Sequence, residues 1–159
     1  PAAQQLDVSN GLTKYIKESR SNIEVQGRRG KKRGGWDKLK SPDELKTELE
    51  SGHYMDIVRY KSGNAEIEDG HILEQRKMSG GQGAEFTAEL NNGTWSLVMK
   101  RQLKSNKPGD MNLETDKIYN FGFAIHDDFS AARFHHVSLG YKLGFDNDSK
   151  DVEINAAAQ

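Results

Sequence analysis

The side chains with the widest chemical reach in this sequence are histidines, and three of the five, His126, His135 and His136, fall close together with Asp127 and Asp128 beside the first. Imidazole and carboxylate are common ligands of transition metals, so the group holds donors enough for one ion, but H-x8-H-H matches no recognised ligand spacing. A terminal calcium loop is the other possibility: Asp146-Asn-Asp-Ser-Lys-Asp151 has oxygen donors at alternate positions, yet it lacks the glycine and closing glutamate of such a loop and reads as a solvated turn. Strand alternation over 133–145 puts His135 in one row with Val137, Leu139, Tyr141, Leu143 and Phe145. It puts His136 in the other row with Phe134, Ser138, Gly140 and Lys142, so the two neighbours face opposite ways. A histidine in an apolar row is by default a core residue bonded to backbone, and these residues alone leave that reading of His135 open.

Catalytic fingerprints are missing. There is no G-x-S-x-G, H-E-x-x-H, G-x-x-x-x-G-K-[ST] or strand-linked G-x-G-x-x-G, and Gly80-Gly-Gln-Gly83 has neither the spacing nor a following helix. A hydrolase is the weakest reading, since His126 with Asp127 could act as an acid–base pair but has no nucleophile beside it. With no cysteine, the sequence holds no disulfide, thiolate metal site, catalytic thiol or C-x-x-C-H haem attachment. Lys plus Arg number 23 against 24 Asp plus Glu, so no overall field favours nucleic acid or an acidic membrane. No apolar run approaches the ~20 residues that span a bilayer. The chain opens at Pro1 with no signal peptide and reads as a processed product or a piece of something longer.

At 159 residues, with 34% hydrophobic residues and 16 scattered glycines, the chain has the size and texture of one turn-rich domain over 1–159. Leu12, Tyr15 and Ile16 suggest a short amphipathic helix over Leu12 to Ser19. The stretch from Gly27 to Trp36, rich in glycine, arginine and lysine, reads as a mobile basic loop. Ser41-Pro42-Asp43-Glu44 predicts a capped helix from Pro42 to about Glu50 that buries Leu45 and Leu49. Beyond it, short β-like runs are expected over Tyr54 to Tyr60, Ile72 to Arg76, Glu85 to Leu90, Thr94 to Leu103, Lys117 to His126 and Arg133 to Phe145, with a tight turn at Asn92-Gly93. Their regular spacing suggests an antiparallel β-sandwich or barrel with short peripheral helices.

Several words from Gly52 onward resemble the ethylbenzene dehydrogenase-related haem-binding domains. Lys117-Ile-Tyr-Asn-Phe-Gly-Phe-Ala-Ile-His126 followed by Arg133-Phe-His-His-Val-Ser138 is similar to that family's F-A-[IV]-[WH] and R-[KH]-x-[VY]-S strands. Tyr54-Met-Asp-Ile-Val-Arg-Tyr-Lys61 resembles its D-L-W-[HQ]-W-[RK] strand. Arg76-Lys77-Met78 follows in order, and Trp95 to Leu103 resembles W-x-V-x-x-x-R-x-L. Together these words cover roughly Gly52 to Phe145.

The resemblance implies a carbohydrate-binding-module-like β-sandwich holding one non-covalent haem b, and an electron-transfer role in place of catalysis. It sets the axial position on His135, a residue type suited to haem iron. The family's second ligand is a methionine just before the D-L-W-like strand; here His53 is the nearest donor and Met55 the next. His126 and Arg133, in the same two words, are assigned to the cofactor site with them. Val58 and Tyr60 stand where the family has tryptophans. Arg28, Arg29, Lys31, Lys32 and Arg33 could pair with propionates. The implied setting is periplasmic, tethered to the inner membrane through a further N-terminal part, with a redox protein or an attached multihaem cytochrome domain as partner, and with neither nucleic-acid binding nor insertion of this stretch into the membrane. The reading from another class is a cofactor-free sandwich module that binds carbohydrate or a protein, for which an exposed aromatic such as Trp36 would serve.

Overall fold

Local chemistry sets the helix. In this computed structural model, which describes residues 16–26, 30, 32–126 and 135–158 (backbone alone for 22–26, 32–38 and 135), α1 runs over Pro42–Glu50. The Ser41 hydroxyl accepts from the Glu44 amide, and the Glu44 carboxylate accepts from the Ser41 amide at 2.8 Å, closing the expected capping box. Leu45 and Leu49 are only half-buried, and no residue of the helix is fully buried.

The chain divides into two compact units, Pro1–Met111 and Asn112–Gln159. In the first, a 3-10 turn at Lys17–Ser19 leads into β1 (Arg20–Gln26), which pairs antiparallel with β2 (Lys32–Leu39). The expected helix over Leu12 to Ser19 thus reduces to one turn in its described part, with 12–15 outside the described residues. The basic loop is corrected as well. Its later half is strand, because backbone pairing such as Ile23 to Gly35 needs no particular side chain; 27–29 and 31 lie outside the described residues.

Next come β3 (Met55–Lys61), β4 (Glu66–Ile72) and β5 (Arg76–Lys77), one antiparallel sheet in the order β3-β4-β5. The run Glu66-Ile-Glu-Asp-Gly70 carries turn-like residues, yet it is strand because its outward carboxylates are paired. Glu68 accepts from Lys61 at 2.6 Å and from Arg59, and Glu66 accepts from Lys61 at 3.0 Å. The strand expected from Ile72 to Arg76 instead breaks at 73–75, where Leu73 is, among the described residues, the most deeply buried apolar side chain. β6 (Glu85–Asn91) and β7 (Thr94–Lys100) form the expected hairpin; Asn92 and Gly93, with φ of 49° and 78°, make the tight turn that Asn-Gly favours. Phe86 of this hairpin stacks on Tyr60 of β3 with ring centroids 5.2 Å apart.

The second unit contains β8 (Tyr119–Phe121), β9 (Ala124–His126), β10 (His135–Val137), β11 (Tyr141–Phe145) and β12 (Ile154–Ala156). Each of the two long strands expected here is broken in two. β8 pairs with β11 and β9 with β10, while the Phe123 amide donates to Ser138 Oγ and the Ser138 amide to the Phe123 carbonyl across the break. Unanticipated, β12 adds in parallel to the other edge of β11. Among the described residues the fold is mainly antiparallel β with one short α-helix, in line with the sequence expectation of a mainly β chain. Among the described residues its strands make five small sheets.

Candidate functional site

Two places in the first unit concentrate polar chemistry. On β3, Asp56 lies directly opposite His71 of β4, and Asp69 stands two residues before His71, so all three share one face of the pair. That face is roofed by the segment after β7. One Arg101 Nη2 donates to Asp56 Oδ2 at 2.7 Å and to Asp110 Oδ1 at 3.3 Å, and the Met111 amide donates to Asp56 Oδ2 at 2.8 Å. Asp110 Oδ2 accepts from the Gln82 amide and from Ser105 Oγ, and Asp69 Oδ2 from the Gly83 amide. Asp69, His71 and Asp110 are buried.

Burial, opposed by the Gly83 amide and Arg101, leaves the Asp69 carboxyl above the usual carboxylate range. Burial, with Lys77 nearby, holds His71 below the ordinary histidine value, so its ring is neutral at neutral pH. Burial, with Asp56 and Asp110 adding to it, pushes the Tyr54 hydroxyl up to about 12, and Tyr54 meets the His71 ring edge-on at 5.9 Å. Oxygens of Asp56, Asp69 and Asp110 come within 4.8 Å of one another, a spacing that could hold a metal ion. The Arg101 guanidinium already supplies the cation there. Asp56 Oδ1, Asp69 Oδ1, both ring nitrogens of His71 and Arg101 Nε are buried without a hydrogen-bond partner, and the last is a donor that a metal ion would repel. The cluster is therefore a polar lock joining β3, β4 and the 101–111 segment. Its two ends, Asp56 and Arg101, are the aspartate of the D-L-W-like word and the arginine of the W-x-V-x-x-x-R-x-L-like word.

The second place is the loop between α1 and β3. The His53 amide donates to the Glu48 carbonyl at 2.9 Å, and its Nδ1 lies 2.7 Å from Glu48 Oε2. Hydrogen bonds from Lys40 and then His53 hold the Glu48 carboxyl below its usual value, so it is ionised and can only accept; Nδ1 is the donor. The ring is 60% exposed, leaving Nε2 available to a further partner. Met55, also expected at the cofactor, begins β3 and is half-exposed.

In the second unit the register sets His126 of β9 directly opposite His135 of β10, and His136 opposite Ile125. The structure thus brings His126 and His135 to one cross-strand position and gives His136 a different one. Arg133, Asp127 and Asp128 lie outside the described residues, as do Arg28, Arg29 and Lys31. The apolar row assigned to His135 is closed only at its far end, where Tyr141 and Leu143 are half-buried and Phe145 is buried. Val137 and Leu139 are 62% and 83% exposed, and Phe123 and Ile125 are exposed too. In the first unit Leu90, Trp95, Leu97, Val98 and Met99 are similarly exposed on the β6–β7 hairpin. The terminal acidic segment is a turn, as expected: Asn147 Oδ1 accepts from the Ser149 amide and Asp146 Oδ2 from the Ala158 amide.

Sequence reading did not single out Asp69, His71, Arg101 or Asp110 as a cluster. Residues 61–71 fall between the expected strands, and β4 is buried on both faces from Asp69 to Ile72, so no inward-facing polar row marks Asp69 and His71.

The chain belongs to the family described as ethylbenzene dehydrogenase, whose model matches residues 7–138, a span that includes His53, the Asp56–Arg101 lock, His126 and His135. It is also similar to a protein named cytochrome c-552 from Stutzerimonas stutzeri, at 41% identity over 112 residues. The match covers 70% of this chain and 37% of that relative, so the chain spans little more than a third of the relative's length. No solved structure matches.

Proposed function

We propose that this chain is a haem-binding electron-transfer domain of the periplasm that holds one b-type haem without covalent attachment. The observation that carries the reading is His53, an imidazole tied at Nδ1 to an ionised carboxylate with its other nitrogen on an exposed face, the arrangement of a histidine prepared to bind a metal. Family membership supports it, as does similarity to a protein named as a cytochrome. The residues suit haem in a further respect: the half-exposed Trp95, Leu97 and Met99 offer the kind of apolar surface that a flat macrocycle covers. These 159 residues contain no cysteine, so a thioether-linked haem would need residues outside them.

Haem, when bound, supplies a one-electron couple; the protein supplies ligands, an apolar lining and charge that set where the couple sits. His135 is the position that the family resemblance assigns to iron, and His53 is the one whose geometry is that of a ligand. The two are proposed separately, each with its own variant. A periplasmic setting, a carbohydrate-binding-module-like sandwich, and a redox protein or attached multihaem domain as partner belong to the same reading. The chain then carries electrons and transforms no substrate of its own. The test is titration of the purified protein with haemin followed by potentiometry. One equivalent taken up, with a reversible one-electron couple, is expected; no uptake would leave a cofactor-free binding module as the better account.

A further inference from the structure

We infer that Glu48 is a positioning residue that fixes the tautomer of His53 and orients its ring as an iron ligand, an inference that rests on the haem reading above. Three attachments prepare the imidazole. The His53 backbone amide is bonded to the Glu48 carbonyl, its Nδ1–H to Glu48 Oε2 at 2.7 Å, and the other carboxylate oxygen, Oε1, is held by Lys40 Nζ at 2.6 Å. Lys40 thereby leaves Oε2 as the oxygen that faces the ring.

Neutral imidazole carries one proton on two nitrogens, and only the unprotonated one can bind a metal. By accepting from Nδ1, Glu48 keeps the lone pair on Nε2, at the exposed end of the ring. The ionised acceptor also draws Nδ1–H toward itself and makes Nε2 a stronger donor, which favours ferric over ferrous iron and lowers the reduction potential. The device lies in this chain's own residues. Glu48 sits in the last turns of α1, five residues before His53, so the helix terminus carries the orienting group and the loop carries the ligand.

The test uses Glu48→Gln and His53→Ala, with nitrogen-15 spectra of the haem-free protein and potentiometry of the haemin-loaded protein. The wild type should show His53 protonated at Nδ1, and Glu48→Gln should move that proton to Nε2. With haemin bound, Glu48→Gln should raise the potential, by about 59 mV for each tenfold loss of preference for ferric iron. A purely structural Glu48 would leave the potential in place. An unchanged tautomer, or an unchanged potential, overturns the inference. If His53→Ala retains the wild-type spectrum and potential, His53 is not the ligand; the inference falls while haem binding stands. A wild type that takes up no haemin removes the haem reading and this inference with it.

Discussion

Replacing Arg101 with methionine removes the cation shared by Asp56 and Asp110 while keeping most of the side-chain volume. Arg101 is 12% exposed, and its partners Asp56 and Asp110 are 11% and 0% exposed, so little water reaches either end of the pair. Breaking one side of such a pair leaves a buried charge uncompensated, at a cost of about 3–5 kcal/mol. Two carboxylates would be stranded here, which sets the expectation at the upper part of that range. Folded domains are stable by only ~5–15 kcal/mol, so much of the margin would go. Followed by far-UV circular dichroism in urea, with a slope of about 2 kcal/mol per molar, the midpoint should fall by roughly 1.5–2.5 M. The double variant Asp56→Asn with Arg101→Met should lose less than the sum of its parts, because each half of the pair is costly chiefly when the other is present. A single-variant loss within ~1 kcal/mol, or strict additivity, would refute the lock.

Asp69 gives a test of opposite sign. Because burial raises its folded value, its contribution to stability is full below the ordinary carboxylate range and is lost as pH rises through that elevated value. Asp69→Asn stays neutral, so its stability relative to the wild type should improve as pH rises out of the ordinary carboxylate range and through the elevated folded value. A difference independent of pH would contradict the assignment. Gly109 has φ of +91°, and a Cβ there would fall 2.2 Å from His71 Nδ1, so Gly109→Ala should cost about 2–4 kcal/mol in the same unfolding assay. Ser41→Ala, which removes the hydroxyl from the capping box, should cost about 1 kcal/mol by thermal denaturation.

Elements with strong local signals were legible from sequence: the capped helix at Pro42, the Asn92-Gly93 hairpin and the strand at Met55. Elements whose stability comes from partners were not. β2 reads as a loop because glycine and lysine carry no strand signal, yet the β1 backbone pairs with it. β4 falls almost wholly outside the expected strands because Glu66, Glu68 and Asp69 carry no strand signal, and each is answered by a cation or an amide that alternation alone does not reveal. The breaks at 122–123 and 138–140 follow Gly122 and Gly140, but which strand fragments then pair is a tertiary matter. Of the expected site, His53 was legible as the nearest donor before β3. Its hydrogen-bond partner was not, since Glu48 belongs to the helix and meets the ring only where the chain turns out of it.

The measurement that bears most directly on the central claim is the absorption spectrum of the haemin-loaded protein, compared among the wild type, His135→Ala and His136→Ala. Histidine ligation through His135 predicts a six-coordinate spectrum in the wild type, the same spectrum in His136→Ala, and a five-coordinate or haem-free one in His135→Ala. Bound haem with identical spectra in all three would contradict ligation by His135, and failure of the wild type to bind haemin would contradict the account as a whole.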